Sequence, residues 1–117
     1  MDSNNLYIYK AKYIKNYDGD TVTFLVDLGM GTYRKENVRL YGIDTEELRS
    51  SDPEKKELAY QAKMRTEFFL MGEEIYIKTY RDKTGKYGRY LAEVFVEGRE
   101  ESLNEILIKE GLAKPYN

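Results

Sequence analysis

The chain of 117 residues contains no cysteine, which excludes disulfides, thiolate metal sites and a cysteine nucleophile. It contains no histidine either, which removes the usual general base and most zinc sites. Any chemistry must therefore use carboxylates, arginine, lysine, tyrosine and hydroxyls, and a metal would be a hard, oxygen-bound cation such as calcium or magnesium. Proline occurs only twice, so the chain lacks a disordered composition. No apolar run reaches membrane-spanning length, and the opening "MDSNNLYIYK" has no apolar segment of signal-peptide length. The sequence thus predicts an intracellular chain with no membrane partner. A net charge of −2 argues against a broadly basic nucleic-acid-binding surface. An anionic substrate stays open, because a local arginine pair and a bound divalent cation can supply positive charge.

What is present reads as one folded domain over residues 1–117, since 41% of the residues are hydrophobic and 34% charged. No repeat, low-complexity tract or linker divides it. Tyr7 to Lys15 is rich in β-formers, and Thr21 to Leu28 alternates, with Val22, Phe24, Val26 and Leu28 on one face. The turn residues Gly29 to Gly31 precede a third strand from Tyr33 to Ile43, making a meander. Asp52 as N-cap and Pro53 at the first helical position open a helix. Leu58, Ala59, Ala62, Phe69 and Leu70 share one side of it, and Gly72 closes it. Strands follow at Glu74 to Tyr80 and Tyr90 to Val96, flanking the loop "RDKTGKYGR". "SLNE", Ser102 to Glu105, is a capping box before a short helix with Leu103, Ile106 and Leu107 on its apolar side, ended by Gly111. The order β-β-β-α-β-β-α, with five antiparallel strands, predicts an α+β protein built on an OB-fold barrel.

Three polar clusters lie at strand ends or in loops. In "YDGDT", Gly19 permits a tight turn that aims Asp18 and Asp20 differently; alone it reads as an Asx-type turn. An EF-hand is excluded, because Gly29 stands where the bidentate glutamate belongs. The second cluster, "VRLYGIDTEELRSSDPE", alone reads as a solvated loop before a helix, and the third, "KTGKYGR", as an exposed hairpin loop. Taken together they say more. In an OB barrel the start of the second strand lies near the end of the third, so Asp20 and Asp44 could meet across them. Two such carboxylates repel unless a cation sits between them, and oxygen ligands suit calcium. Arg39 and Arg89 could then clamp a phosphodiester whose oxygens gain charge in the transition state, with Glu47 as the proton acceptor.

The motifs "DGDT", "RLYGIDTEE" and "KYGR", with "LNEILIKEGLAK" near the end, resemble the staphylococcal nuclease family from about Tyr13 to Lys114. The resemblance implies an OB barrel with helices that hydrolyses DNA and RNA phosphodiesters with one calcium ion, leaving 3′-phosphates. By position it implies Asp20 and Asp44 as calcium ligands and Thr45 as the donor of a backbone carbonyl. Arg39 and Arg89 match the arginines that hold and stabilise the attacked phosphate, and Glu47 matches the glutamate assigned as general base. Lys86 and Tyr87 match a lysine and a tyrosine beside the nucleotide's terminal phosphate. Several positions depart from the family pattern. Glu46 replaces the proline of "DTPE", and Gly85 replaces an acidic residue before "KYGR". The loop from Glu47 to Asp52 is shorter than in the staphylococcal enzyme. Past "GLAK" the chain reads "PYN", which implies that the extra C-terminal helix is lacking and leaves Tyr116 near where a tyrosine pair would line the nucleotide pocket.

The expectation is therefore a monomeric, calcium-dependent nuclease acting on DNA or RNA. Its alternative is a barrel that binds single strands on tyrosine platforms without turnover, with 12 tyrosines to draw on. Retention of Asp20, Asp44 and Glu47 separates the two, because a pure binder has no use for carboxylates facing a phosphate.

Overall fold

The computed structural model describes residues 7–81 and 90–116. Its elements run β1 (Ile8–Asn16), β2 (Thr21–Asp27), β3 (Tyr33–Leu40), β4 (Ile43–Thr45), α1 (Pro53–Leu70), β5 (Ile75–Arg81), β6 (Tyr90–Val96), α2 (Leu103–Lys109) and β7 (Ala113–Pro115). Five strands close into a barrel in the order β1-β2-β3-β6-β5. This is the α+β, OB-type barrel predicted from the strand pattern.

One pairing departs from the expected antiparallel set. Four neighbours are antiparallel, but β3 and β6 run parallel, with Val38 opposite Tyr90 and Leu40 opposite Ala92. The reason is topological: a closed ring with an odd number of strands cannot alternate direction at every step. The third strand is also shorter than predicted. Gly42, at φ 77, turns the chain out of β3. Beyond it β4 pairs with β7 as a separate two-stranded sheet, Asp44 opposite Lys114 and Thr45 opposite Ala113.

The barrel interior is built as the alternation predicts, with Val22, Phe24, Val38, Leu40, Ile75, Ile77 and Val94 almost wholly buried. Burial of such side chains stabilises by about 1.5–3 kcal/mol each. Leu28 is an exception: β2 ends at Asp27, so Leu28 falls in the turn and is exposed. In α1 the Asp52 side chain accepts from the Glu54 amide at 3.0 Å, and in α2 the Ser102 hydroxyl accepts from the Glu105 amide at 3.1 Å. Helix α1 buries Ala59, Ala62, Thr66, Phe69 and Leu70, while Leu58 stands at the edge of that arc and is exposed. No helix among the described residues is long and apolar enough to cross a membrane.

The two helices are tied by a bidentate pair, with Arg65 Nε donating to Glu110 Oε1 at 2.8 Å and Nη2 to Oε2 at 3.0 Å. The Arg65 hydrogen bonds hold the Glu110 carboxyl below its usual range, against a smaller opposing effect of burial. A depressed carboxylate contributes stability above its unfolded pKa and loses it as pH falls through the folded value. A double-mutant cycle of Arg65→Met and Glu110→Gln should therefore give a coupling of about 0.5–1 kcal/mol at neutral pH, since both groups are partly exposed. Urea unfolding checks it, and the coupling should vanish once the solution is more acidic than the ordinary carboxylate range.

Candidate active site

The site forms where β2 begins and β3 ends, because antiparallel pairing sets Thr21 opposite Arg39. The turn Asp18-Gly19-Asp20 leads into β2 and is held on both sides. The Asn16 amide donates to the carbonyls of Asp18 and Lys63, both at 3.0 Å. The Thr66 hydroxyl donates to the Gly19 carbonyl at 2.7 Å. Helix α1 approaches this closely because Ala62 and Thr66 present small side chains to the turn. A Cβ on Gly19 would lie 2.6 Å from the Ala62 Cβ and 3.0 Å from the Thr45 Cγ2. Gly19→Ala is therefore expected to destabilise by about 1–3 kcal/mol through overpacking, and to shift Asp20 with it. Urea unfolding measures this, and a cost below a few tenths of a kcal/mol would show that the helix yields instead.

Pressed under α1, Asp20 is 6% exposed. Its Oδ2 accepts from the Thr45 amide at 3.2 Å, and its backbone amide donates to Asp18 Oδ1 at 3.1 Å. Burial, then the hydrogen bond and charge of Asp18, push its pKa up to about 7, against the Thr45 amide and Arg39, which pull it down. Arg39 lies on the outer face of β3, opposite in phase to the buried Val38 and Leu40. One of its nitrogens, Nη2, is 3.0 Å from Asp44 Oδ1 and 3.9 Å from Asp20 Oδ2. The two carboxylates thus converge on a single guanidinium nitrogen. Asp44 itself, in β4, is about half exposed.

Strand β7 completes the cluster. Pairing of β4 with β7 carries Tyr116 back to the site, where its amide donates to the Gly42 carbonyl at 2.8 Å. The Arg39 guanidinium carbon lies 4.9 Å from the Tyr116 ring centroid, a cation–π contact that adds to the hold on the arginine. Of the residues predicted from sequence, Asp20, Arg39, Asp44, Thr45 and Tyr116 are thus brought together. Glu47 follows β4 on an exposed loop, its carbonyl accepting from the Ser50 amide at 3.1 Å. Arg89, Lys86 and Tyr87 lie outside the described residues.

Three positioning residues escaped the sequence reading. Asn16 and Thr66 clamp the Asp18–Asp20 turn, and Asn104 clamps the Tyr41–Gly42 turn. The Asn104 amide donates to the carbonyls of Tyr41 at 2.8 Å and Ala92 at 3.0 Å, and its oxygen accepts from the Val94 amide at 3.0 Å. The available signal was a lone polar residue within an otherwise small or apolar helical arc, at Thr66 and Asn104.

The donor set fits a hard cation. It consists of oxygens only: a buried carboxylate with an elevated pKa, a second carboxylate sharing its arginine, and the Thr45 backbone between them. The Thr45 hydroxyl oxygen is buried without a hydrogen-bond partner among the described residues. Among those residues no three Asp, Glu, His or Cys side chains gather as a closed metal cage would require.

A family model described as staphylococcal nuclease homologue matches residues 37–117. The chain is 33% identical over 128 aligned positions to an uncharacterized protein of Methanocaldococcus jannaschii, covering 92% of this chain and 59% of that protein. It is 31% identical over 114 positions to a protein named Thermonuclease from Staphylococcus hyicus, covering 97% of this chain and 62% of the relative. It is 31% identical over 98 positions to Endonuclease YncB of Bacillus subtilis, covering 83% of this chain and 43% of the relative. In each case the chain spans less than two thirds of the relative's length.

Proposed function

Because this chain belongs to the staphylococcal nuclease homologue family, we propose that it is a calcium-dependent nuclease that hydrolyses phosphodiester bonds of DNA or RNA and leaves 3′-phosphates. The observation that carries the reading is the convergence of Asp20 Oδ2 and Asp44 Oδ1 on Arg39 Nη2, at 3.9 and 3.0 Å. A module that only bound nucleic acid would gain nothing from two carboxylates at the phosphate position.

In this reading Asp20, Asp44 and the Thr45 carbonyl would hold the cation, which supplies charge to polarise the phosphate. The Arg39 guanidinium receives a phosphate oxygen and strengthens its hold as negative charge grows there. Its fork geometry suits two oxygens at once, and the Tyr116 ring beneath it keeps the plane fixed. Glu47 takes a proton from the attacking water. Attack at phosphorus breaks the bond to the 5′-oxygen, which takes a proton from solvent and leaves as a 5′-hydroxyl, so the phosphate stays on the 3′ side. Arg89 is assigned the second contact to the attacked phosphate, and Lys86 and Tyr87 the contacts to a terminal phosphate.

The test is cleavage of single-stranded DNA during a calcium titration, repeated with Glu47→Gln. We expect cleavage that rises with calcium, stops on chelation, and falls by about a hundredfold or more in the variant. Tight binding without cleavage at any calcium concentration would replace the enzyme by a binding module. Equal rates for Glu47→Gln and the wild type would remove Glu47 from its role.

A further inference from the structure

We propose that Tyr41 and Tyr80 form a base-stacking platform beside Arg39, which receives the nucleobase flanking the phosphate held by that arginine. The inference rests on the nuclease reading for the identity of the ligand, but on separate residues for its geometry.

The two rings are stacked, with centroids 4.3 Å apart and planes 20° from parallel. They lie on the outer surface, on the same side as Arg39. Along one rung of the barrel, Arg39 is opposite Leu91, and Leu91 is opposite Tyr80. Side chains alternate along strands, and Ile75 and Ile77 point inward in β5, so Tyr80 points outward. Tyr41 follows Arg39 by two residues, about 7 Å along the strand direction, a distance within the reach of one nucleotide.

The platform is fixed before any ligand arrives. The Tyr41 amide donates to the Ala92 carbonyl at 2.8 Å, and its own carbonyl accepts from the buried Asn104 amide at 2.8 Å. The Tyr80 hydroxyl donates to Glu93 Oε1 at 2.5 Å. That bond pushes its pKa up to about 12, so the ring stays neutral next to an anionic backbone. The Lys78 ammonium is 5.7 Å from the Tyr80 ring, adding a positive charge on the same face. Tyr41 remains 43% exposed, with one face of its ring stacked on Tyr80. Every nucleobase has a π-face, so such a platform binds without strong sequence preference.

The experiment uses dinucleotides with a single scissile phosphodiester, intact or with one base removed, in saturating calcium. For wild type, removal of one of the two bases should lower kcat/KM by about ten- to hundredfold, as expected for one stacked base. Tyr41→Leu should bring the intact substrate to the abasic rate and show no further loss on the abasic one. Tyr41→Phe, which keeps the ring, should preserve the wild-type ratio. If Tyr41→Leu melts as wild type does and still shows the full intact-to-abasic ratio, the platform is refuted while the nuclease stands. If the wild type cleaves nothing, the nuclease reading fails, and equilibrium binding of the same dinucleotides decides the platform. A base preference in binding that Tyr41→Leu abolishes supports it, and a preference that survives overturns it.

Discussion

Arg39→Ala should lower kcat/KM on single-stranded DNA by a hundredfold to a thousandfold or more, about 3–4 kcal/mol of lost transition-state stabilisation. Two features of the structure make the effect large. The side chain is about four fifths buried and pinned between Asp44 at 3.0 Å and the Tyr116 ring at 4.9 Å, so its charge is aimed before substrate binds. It is also the cation on which both carboxylates converge, so its removal leaves Asp20 and Asp44 facing each other with less compensation. Arg39→Lys should not restore the rate. A lysine ammonium can reach one carboxylate, but it cannot present a planar fork to two phosphate oxygens while resting on a ring. Steady-state kinetics at saturating calcium separates this loss from one of metal binding. Retention of more than a tenth of wild-type kcat/KM by the alanine variant would remove Arg39 from the chemistry.

Asp20→Asn should have an opposite pair of effects, stabilising the calcium-free protein while abolishing its response to calcium. Burial first of all pushes the Asp20 pKa from the ordinary carboxylate range up to about 7, so below that pH the folded protein prefers this carboxyl protonated. The contribution of such a group is fully present below the unfolded pKa and is lost as pH rises through the folded pKa. Calcium-free wild type should therefore lose stability from about pH 4 to about pH 7 on this account, and the variant should not. Near pH 8 the asparagine protein should be more stable by roughly 2–4 kcal/mol, with the difference shrinking to nothing in acid. An asparagine oxygen can still accept from the Thr45 amide, so the turn keeps its anchor. Calcium should stabilise wild type in proportion to ligand binding and leave the variant unmoved. Urea unfolding with chelator and with calcium, across pH, measures both halves. A variant less stable than wild type throughout the range would mean that the buried carboxylate is satisfied as an anion without a cation.

Much of the framework was legible because its signals are local. Asp52 and Pro53 start α1, Ser102 starts α2, and the Val22-Phe24-Val26 alternation defines β2, each through contacts within a few residues along the chain. Where a local pattern outruns its element, tertiary pairing sets the boundary instead. The apolar alternation continues to Leu28, although pairing with β3 stops at Asp27 opposite Tyr33. The β-forming pattern of the third strand likewise runs on to Ile43, but Gly42 releases β4 to pair with β7. Tyr116 could be placed only loosely from sequence, because its position follows from that pairing of β4 with β7.

By itself the sequence determined the chemical vocabulary and the order of the five barrel strands and two helices, since these follow from residue type and short-range periodicity, while the charged set was marked by the resemblance of its motifs. Only the tertiary structure decided that β3 and β6 close the ring in parallel, that Asp20 is buried enough for its pKa to rise, and that Asp44 and Asp20 share one nitrogen of Arg39. The physical reason is distance along the chain. Thr66 reaches the Gly19 carbonyl across 47 residues and Thr45 reaches Asp20 across 25. The low-dielectric setting that those contacts create exists only once helix and barrel have packed.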